Sequence, residues 1–155
     1  MNTDINLQAG EAYFGKAPKR IKTLLGSCVA VTVWHSELKL GGLCHYLISE
    51  RKDNTNSTKS GDYKYGKQAL AFLKQQMMCN ADVKEYEVGI YGGSNMYNSE
   101  SSSTIGEKNV SYAHQWLKQL GLNAKNEDVL GEVCRTLILD LSTGDVHLKR
   151  YQQEQ

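Results

Sequence analysis

Excess charge is the first thing missing. Eighteen Lys and Arg stand against 17 Asp and Glu, a formal net charge of +1. Nothing in that balance draws the chain to nucleic acid or to an anionic membrane. Long apolar runs are missing too, since no stretch approaches the roughly 20 residues of a membrane span. The opening MNTDINLQAGEAYFG carries an early acid and no apolar segment, unlike a signal peptide. The expectation is a cytoplasmic protein without membrane insertion. Paired cysteines are also absent. Cys28, Cys44, Cys79 and Cys134 form no C-x-x-C, so neither a zinc ribbon nor a thioredoxin-type site is signalled. In a reducing compartment they are free thiols, and no metal is expected. Proline occurs once, at Pro18.

What is present is ordinary for a globular domain: 40% hydrophobic and 23% charged residues. The length of 155 residues fits one domain, 1–155, able to bury a core without disulfides. Residues 9–15 suggest a short strand and 16–20 a turn. Residues 21–25 are apolar and β-compatible. CVAVTVWH (28–35) reads as a buried strand, SELKLGG (36–42) as a turn ending in a glycine pair, and LCHYLIS (43–49) as its hairpin partner. Residues 50–62 and 94–103 are polar loops. Helical spacing predicts a helix from Tyr63 to Met78. A strand in 84–97 stops at Gly-Gly. A second helix is opened by the capping box Thr104-Ile105-Gly106-Glu107 and closed by Gly121. Thr136–Leu141 and Val146–Arg150 read as a final hairpin. Strands, helix, strand, helix, strands predict one layered α/β (α+β) domain with two main helices.

The chemistry gathers at LLGSCVAV (24–31). Gly26 permits a tight bend and a close substrate approach. A cysteine there sits at a strand's edge, and its own N–H, with that of Ser27, is suited to an oxyanion. A nucleophilic thiol needs a base nearby. His45 lies 17 residues on, in the partner strand of the hairpin, within reach of Cys28. Alternation puts Cys44 on the opposite face from His45, in the core. His35 reads as solvated at a strand end, His114 as surface or boundary, and His147 as exposed or buried with equal claim. Cys79 and Cys134 read as structural thiols.

These residues carry a resemblance. KTLLGSCVAVTVW followed by GGLCHYLI resembles the signature of the CheD family, the chemoreceptor glutamine deamidases of bacterial chemotaxis. VGIYGGSNMY is similar to the family's strand ending in Gly-Gly-x-Asn-Met. IGEKNVSYAHQWLKQLGL is similar to its Ile-Gly-x-x-Asn helix, and EDVLGEVCRTLILDLSTGDVHLK to its C-terminal segment. The resemblance implies hydrolysis of glutamine side chains to glutamate on methyl-accepting chemotaxis receptors, by a cysteine nucleophile through a thioester and without a cofactor. The nucleophile then falls on Cys28, the histidine on His45 and the third catalytic position on Thr23, with Gly26 and Ser27 positioning substrate. The implied fold is similar to the catalytic domain of the cytotoxic necrotizing factor toxins. The alternative is a non-catalytic adaptor that binds receptors or a CheC-type phosphatase. One departure stands out: where the family has Gly-Gly-x-x-Gly-Arg, this chain has Leu130-Gly131-Glu132-Val133-Cys134-Arg135.

Overall fold

The run from Cys28 to His35 is apolar at successive positions, and such a strand needs cover on both faces. The computed structural model describes residues 3–49, 62–95 and 104–152, and it supplies both covers. Strand β4 (Val29–His35) is buried at every residue. It is the middle strand of a five-stranded sheet that also holds β2 (Ala12–Lys16), β5 (Leu40–Tyr46), β6 (Glu87–Gly92) and β7 (Asn126–Val129), in the order β2-β5-β4-β6-β7. Val29, Val31 and Val33 share one core with Leu73 and Met77 of helix α1 (Gly66–Asn80) and with Val110 and Leu117 of helix α2 (Ile105–Leu120).

Ala30 and Trp34 face the other way, into a second core with Ile21, Leu25, Leu137 and Leu139. Those residues belong to a four-stranded sheet of β1 (Thr3–Asn6), β3 (Lys19–Leu25), β8 (Val133–Asp140) and β9 (Val146–Gln152), in the order β1-β3-β8-β9. Here burial alternates: Ile21, Thr23 and Leu25 point inward, Lys22 and Leu24 outward. The architecture is mixed α+β, with helices, five-stranded sheet and four-stranded sheet in successive layers. Among the described residues no helix is long and apolar enough to cross a membrane.

Several expectations shift. The glycine pair belongs to β5 rather than to the turn, which closes at Lys39 with φ +51°. A side chain at Gly41 would strike the Val33 carbonyl, and one at Gly42 the Tyr13 carbonyl. The glycines therefore let three strands pack closely, and they do not reverse the chain. Strand β5 stops at Tyr46, and α1 begins three residues after Tyr63 because Tyr65 forms a bridge with Ile48 first. Strands β1 and β7 are polar and were not foreseen; each adds in parallel to an existing edge, β1 to β3 and β7 to β6. His35 is buried, not solvated: its Nδ1 accepts from the Leu38 N–H and its Nε2 faces Glu85. Cys79 is exposed at the end of α1. Thr104 caps α2 by accepting from the Glu107 N–H, and Gly121 closes it at φ +73°. The polar stretches 50–61 and 96–103, and with them most of the two expected loops, lie outside the described residues.

Candidate active site

The hairpin fixes the first relationship. Ala30 lies opposite His45 and Val31 opposite Cys44. Directly opposed residues project to the same side of a sheet. His45 therefore faces the second sheet with Ala30, and Cys44 faces the helices. There Cys44 is fully buried, and burial pushes its thiol up to about 12. Cys28 immediately precedes β4 and packs, half-buried, on the same core as Ala30. Thr23 comes from the other sheet. Its hydroxyl lies 2.7 Å from His45 Nδ1 across the gap. Thr23 and His45 thus join across the space between the sheets, and Cys28 packs on the same inter-sheet core.

Proton accounting sets the imidazole's form. The Thr23 hydroxyl also donates to the Leu7 carbonyl, 2.8 Å away, and a carbonyl only accepts. With its one proton given to Leu7, the hydroxyl accepts from Nδ1–H of His45. Nε2 then carries a lone pair, and among the described residues it is the buried side-chain polar atom without a hydrogen-bond partner. Burial lowers the His45 pKa from 6.5 to about 4 and raises that of the Cys28 thiol. Both shifts favour the neutral forms, thiol and imidazole.

That burial has a cost in acid. Unfolded, the imidazole protonates near 6.5; folded, it waits until about 4. Between those values the unfolded chain holds the extra proton, so acid favours unfolding. At about 1.4 kcal/mol per pH unit, His45 withdraws about 3 kcal/mol of stability as pH falls through this window. Urea titrations at pH 7 and pH 4.5 should show a loss that His45→Gln largely removes. The same pH dependence in both proteins would defeat the assignment.

The backbone around Cys28 is held by its carbonyls. Ser94 N–H donates to Gly26 O at 3.1 Å, the Asn109 side chain approaches Ser27 O at 3.4 Å, and Gly93 N–H donates to Cys28 O at 2.8 Å. In a trans peptide the N–H points opposite to the C=O. Fixing the Gly26 and Ser27 carbonyls on the protein side turns the Ser27 and Cys28 N–H groups the other way. Gly92 and Gly93 sit at φ +105° and +76°, and a side chain at Gly92 would strike the Cys28 carbonyl. Gly106 makes the corresponding close approach of α2 to Gly93.

Behind this loop lies Arg135, which the sequence offered only as a surviving member of a pattern. It is 3% exposed. Its guanidinium donates to Asp128 Oδ1, Ser94 Oγ and Leu130 O, each at 2.7 Å, joining β8 of one sheet to β7 and the end of β6 in the other. Asp128 also binds Arg150. Leu130 stands at φ +68°, in the left-handed region. It occupies a position where the resemblance expects glycine, and a Cβ there carries roughly 1–2 kcal/mol of strain. Leu130→Gly should stabilise the fold by about 0.5–1 kcal/mol after the entropy of a new glycine is deducted. Chemical denaturation reads this directly, and a loss of stability would show that Leu130 packing outweighs the strain. Cys134, the other replaced glycine, is half-buried on β8 opposite Tyr151.

Among the described residues no three His, Cys, Asp or Glu side chains cluster as metal ligands. The arrangement is a half-buried thiol, an imidazole with one nitrogen held and one without a partner among the described residues, and a loop whose carbonyls are anchored. Comparison with known proteins adds the kinship. A family model described as CheD chemotactic sensory transduction matches residues 47–150. A probable chemoreceptor glutamine deamidase CheD 3 from Dechloromonas aromatica is 36% identical over 148 residues, spanning 94% of this chain and 86% of the relative. A probable chemoreceptor glutamine deamidase CheD 1 from Chromobacterium violaceum is 34% identical over 151 residues, spanning 95% and 77%. A probable chemoreceptor glutamine deamidase CheD from Methanococcus vannielii is 30% identical over 148 residues, with 94% of each chain covered.

Proposed function

Because the chain belongs to the CheD family, we propose that it hydrolyses glutamine side chains of methyl-accepting chemoreceptors to glutamate, with Cys28 as nucleophile. The reading includes a single domain working in the cytoplasm, similar in fold to the catalytic domain of the cytotoxic necrotizing factor toxins. The observation that carries it is the unpartnered Nε2 of His45, on a ring fixed through Nδ1 by Thr23 and on the Cys28 side of the sheet.

The steps follow from that ring. Nε2 takes the Cys28 proton as sulfur attacks the carboxamide carbon. Negative charge develops on the amide oxygen, and the Ser27 and Cys28 N–H groups, turned away from the anchored carbonyls, receive it. The imidazolium returns its proton to the nitrogen, the C–N bond breaks, and ammonia leaves a thioester. Water then loses a proton to Nε2 and attacks the thioester. The C–S bond breaks, the thiolate regains the proton, and glutamate is released. Thr23 keeps Nδ1 protonated throughout and supports the imidazolium, as the third member of a triad does. One water is consumed and one ammonia released, with no cofactor in the balance.

The test is incubation of a purified receptor cytoplasmic fragment with wild type and with Cys28→Ala. Ammonia release and a mass gain of about 1 Da at defined glutamines are expected from the wild type alone, since removing a nucleophile leaves only slow background hydrolysis. Conversion by the folded Cys28→Ala protein would eliminate the mechanism. No conversion by reduced wild type would move the assignment to the adaptor reading, in which the protein binds receptors or a CheC-type phosphatase.

A further inference from the structure

The β4–β5 ladder ends one pair short of the nucleophile. Its last pair is Val29 with Tyr46, and the next would be Cys28 with Leu47. At that place a helix substitutes for the ladder. Asn109 lies on α2, 1% exposed, and its Nδ2 is 2.8 Å from Leu47 O and 3.4 Å from Ser27 O. Both partners are carbonyls, so the carboxamide nitrogen must face them, and its two hydrogens can serve both. Ser27 adjoins Cys28, and Leu47 lies two residues beyond His45. The Asn109 backbone carbonyl also accepts from the Tyr46 hydroxyl at 2.5 Å, fixing this turn of the helix over β5.

We propose that Asn109 is a positioning residue: by binding the Ser27 and Leu47 carbonyls with one carboxamide, it sets the separation of the Cys28 sulfur from His45 Nε2. The inference rests on Cys28 and His45 reacting as a pair. Without the carboxamide the Cys28 segment loses its link to Leu47, and the thiol drifts relative to the base. A misplacement of about 1 Å at a reacting group is worth up to about 10²-fold in rate.

The test needs no receptor, so it stands apart from the deamidase reading. The second-order rate of Cys28 alkylation by iodoacetamide is measured at pH 7, by peptide mapping, with thermal melting of each variant alongside. His45→Gln should slow alkylation by removing base assistance. Should that variant fail to fold, Thr23→Val, which releases the imidazole, takes its place. Asn109→Leu, close in size but without donors, should slow alkylation at least about tenfold, and adding it to His45→Gln should slow it no further. Tyr86→Phe, which loses a buried hydrogen bond to the Met77 carbonyl on α1 and touches neither Asn109 nor the Cys28 segment, should lower the melting temperature and leave the alkylation rate unchanged. If His45→Gln is slow while Asn109→Leu alkylates like wild type or faster, Asn109 is only a structural residue and the proposal fails. If His45→Gln itself alkylates at the wild-type rate, the Cys28–His45 pairing fails, and this inference with it.

Discussion

Replacing His45 with glutamine is expected to slow receptor deamidation by about 10²–10⁴-fold, the usual worth of a positioned general base. The pH profile makes the expectation specific. An ordinary histidine would impose an acid limb on kcat/KM near 6.5, but burial holds this one at about 4. The wild-type rate should therefore persist down to about pH 5 before it falls. Burial raises the Cys28 thiol, and the backbone N–H of Cys28 offsets this only in part. In the proposed mechanism the proton moves to the imidazole as sulfur attacks, so the neutral imidazole is the form the reaction needs. Stopped incubations of the receptor fragment across pH 4.5–8 would check both statements. An acid limb at the ordinary histidine value, or full activity in His45→Gln, would remove His45 from the chemistry.

The second large effect is on stability. Arg135→Ala should cost about 3–5 kcal/mol, the range for breaking a buried ion pair by removing one partner. The loss is large because the guanidinium serves three acceptors at once, in a place where water does not replace it. Asp128 keeps Arg150 at the surface, but Ser94 and the Leu130 carbonyl lose their donor. Arg135→Lys should recover little, since one ammonium cannot span Asp128, Ser94 and Leu130. Denaturant titration gives the number, and a change below about 1 kcal/mol would mean that the joint between the sheets is held by packing alone. The damage also reaches the Cys28 loop, because Ser94 N–H anchors the Gly26 carbonyl.

The hairpin that carries Cys28 and His45 was legible because two β-rich runs flank a short connection, and strand alternation then sorted His45 from Cys44. Thr23 was not legible from spacing. It belongs to the other sheet, and its contact with His45 depends on how two sheets stack, so only family resemblance pointed to it. Its second partner, the Leu7 carbonyl, is backbone and leaves no mark on residue identity. Asn109 did leave a signal: it sits on the stripe of Gly106, Val110, Ala113 and Leu117 that α2 buries, and a polar residue on a buried stripe needs a partner. Arg135 left the same kind of signal, in register with the inward Leu137 and Leu139. His35 was misread because a histidine at a strand end normally reaches water, whereas here Tyr86 and Glu85 close over it. The polar strands β1 and β7 have no apolar rhythm of their own and exist only as additions to a neighbour's edge.

The pairing of β3 with β8 places Thr23 opposite Leu137, and this has a consequence for synthesis. Cys28 and His45 leave the ribosome early and can form their hairpin at once. The strand that carries Thr23 has no antiparallel neighbour until Val133–Asp140 has emerged, and β9 follows later still. Until then the nascent chain holds a thiol and an imidazole without the ordered relay from Leu7 through Thr23. A product released by a stop codon before residue 133 would keep Thr23, Cys28 and His45 but lack β8, the antiparallel partner of the strand that carries Thr23.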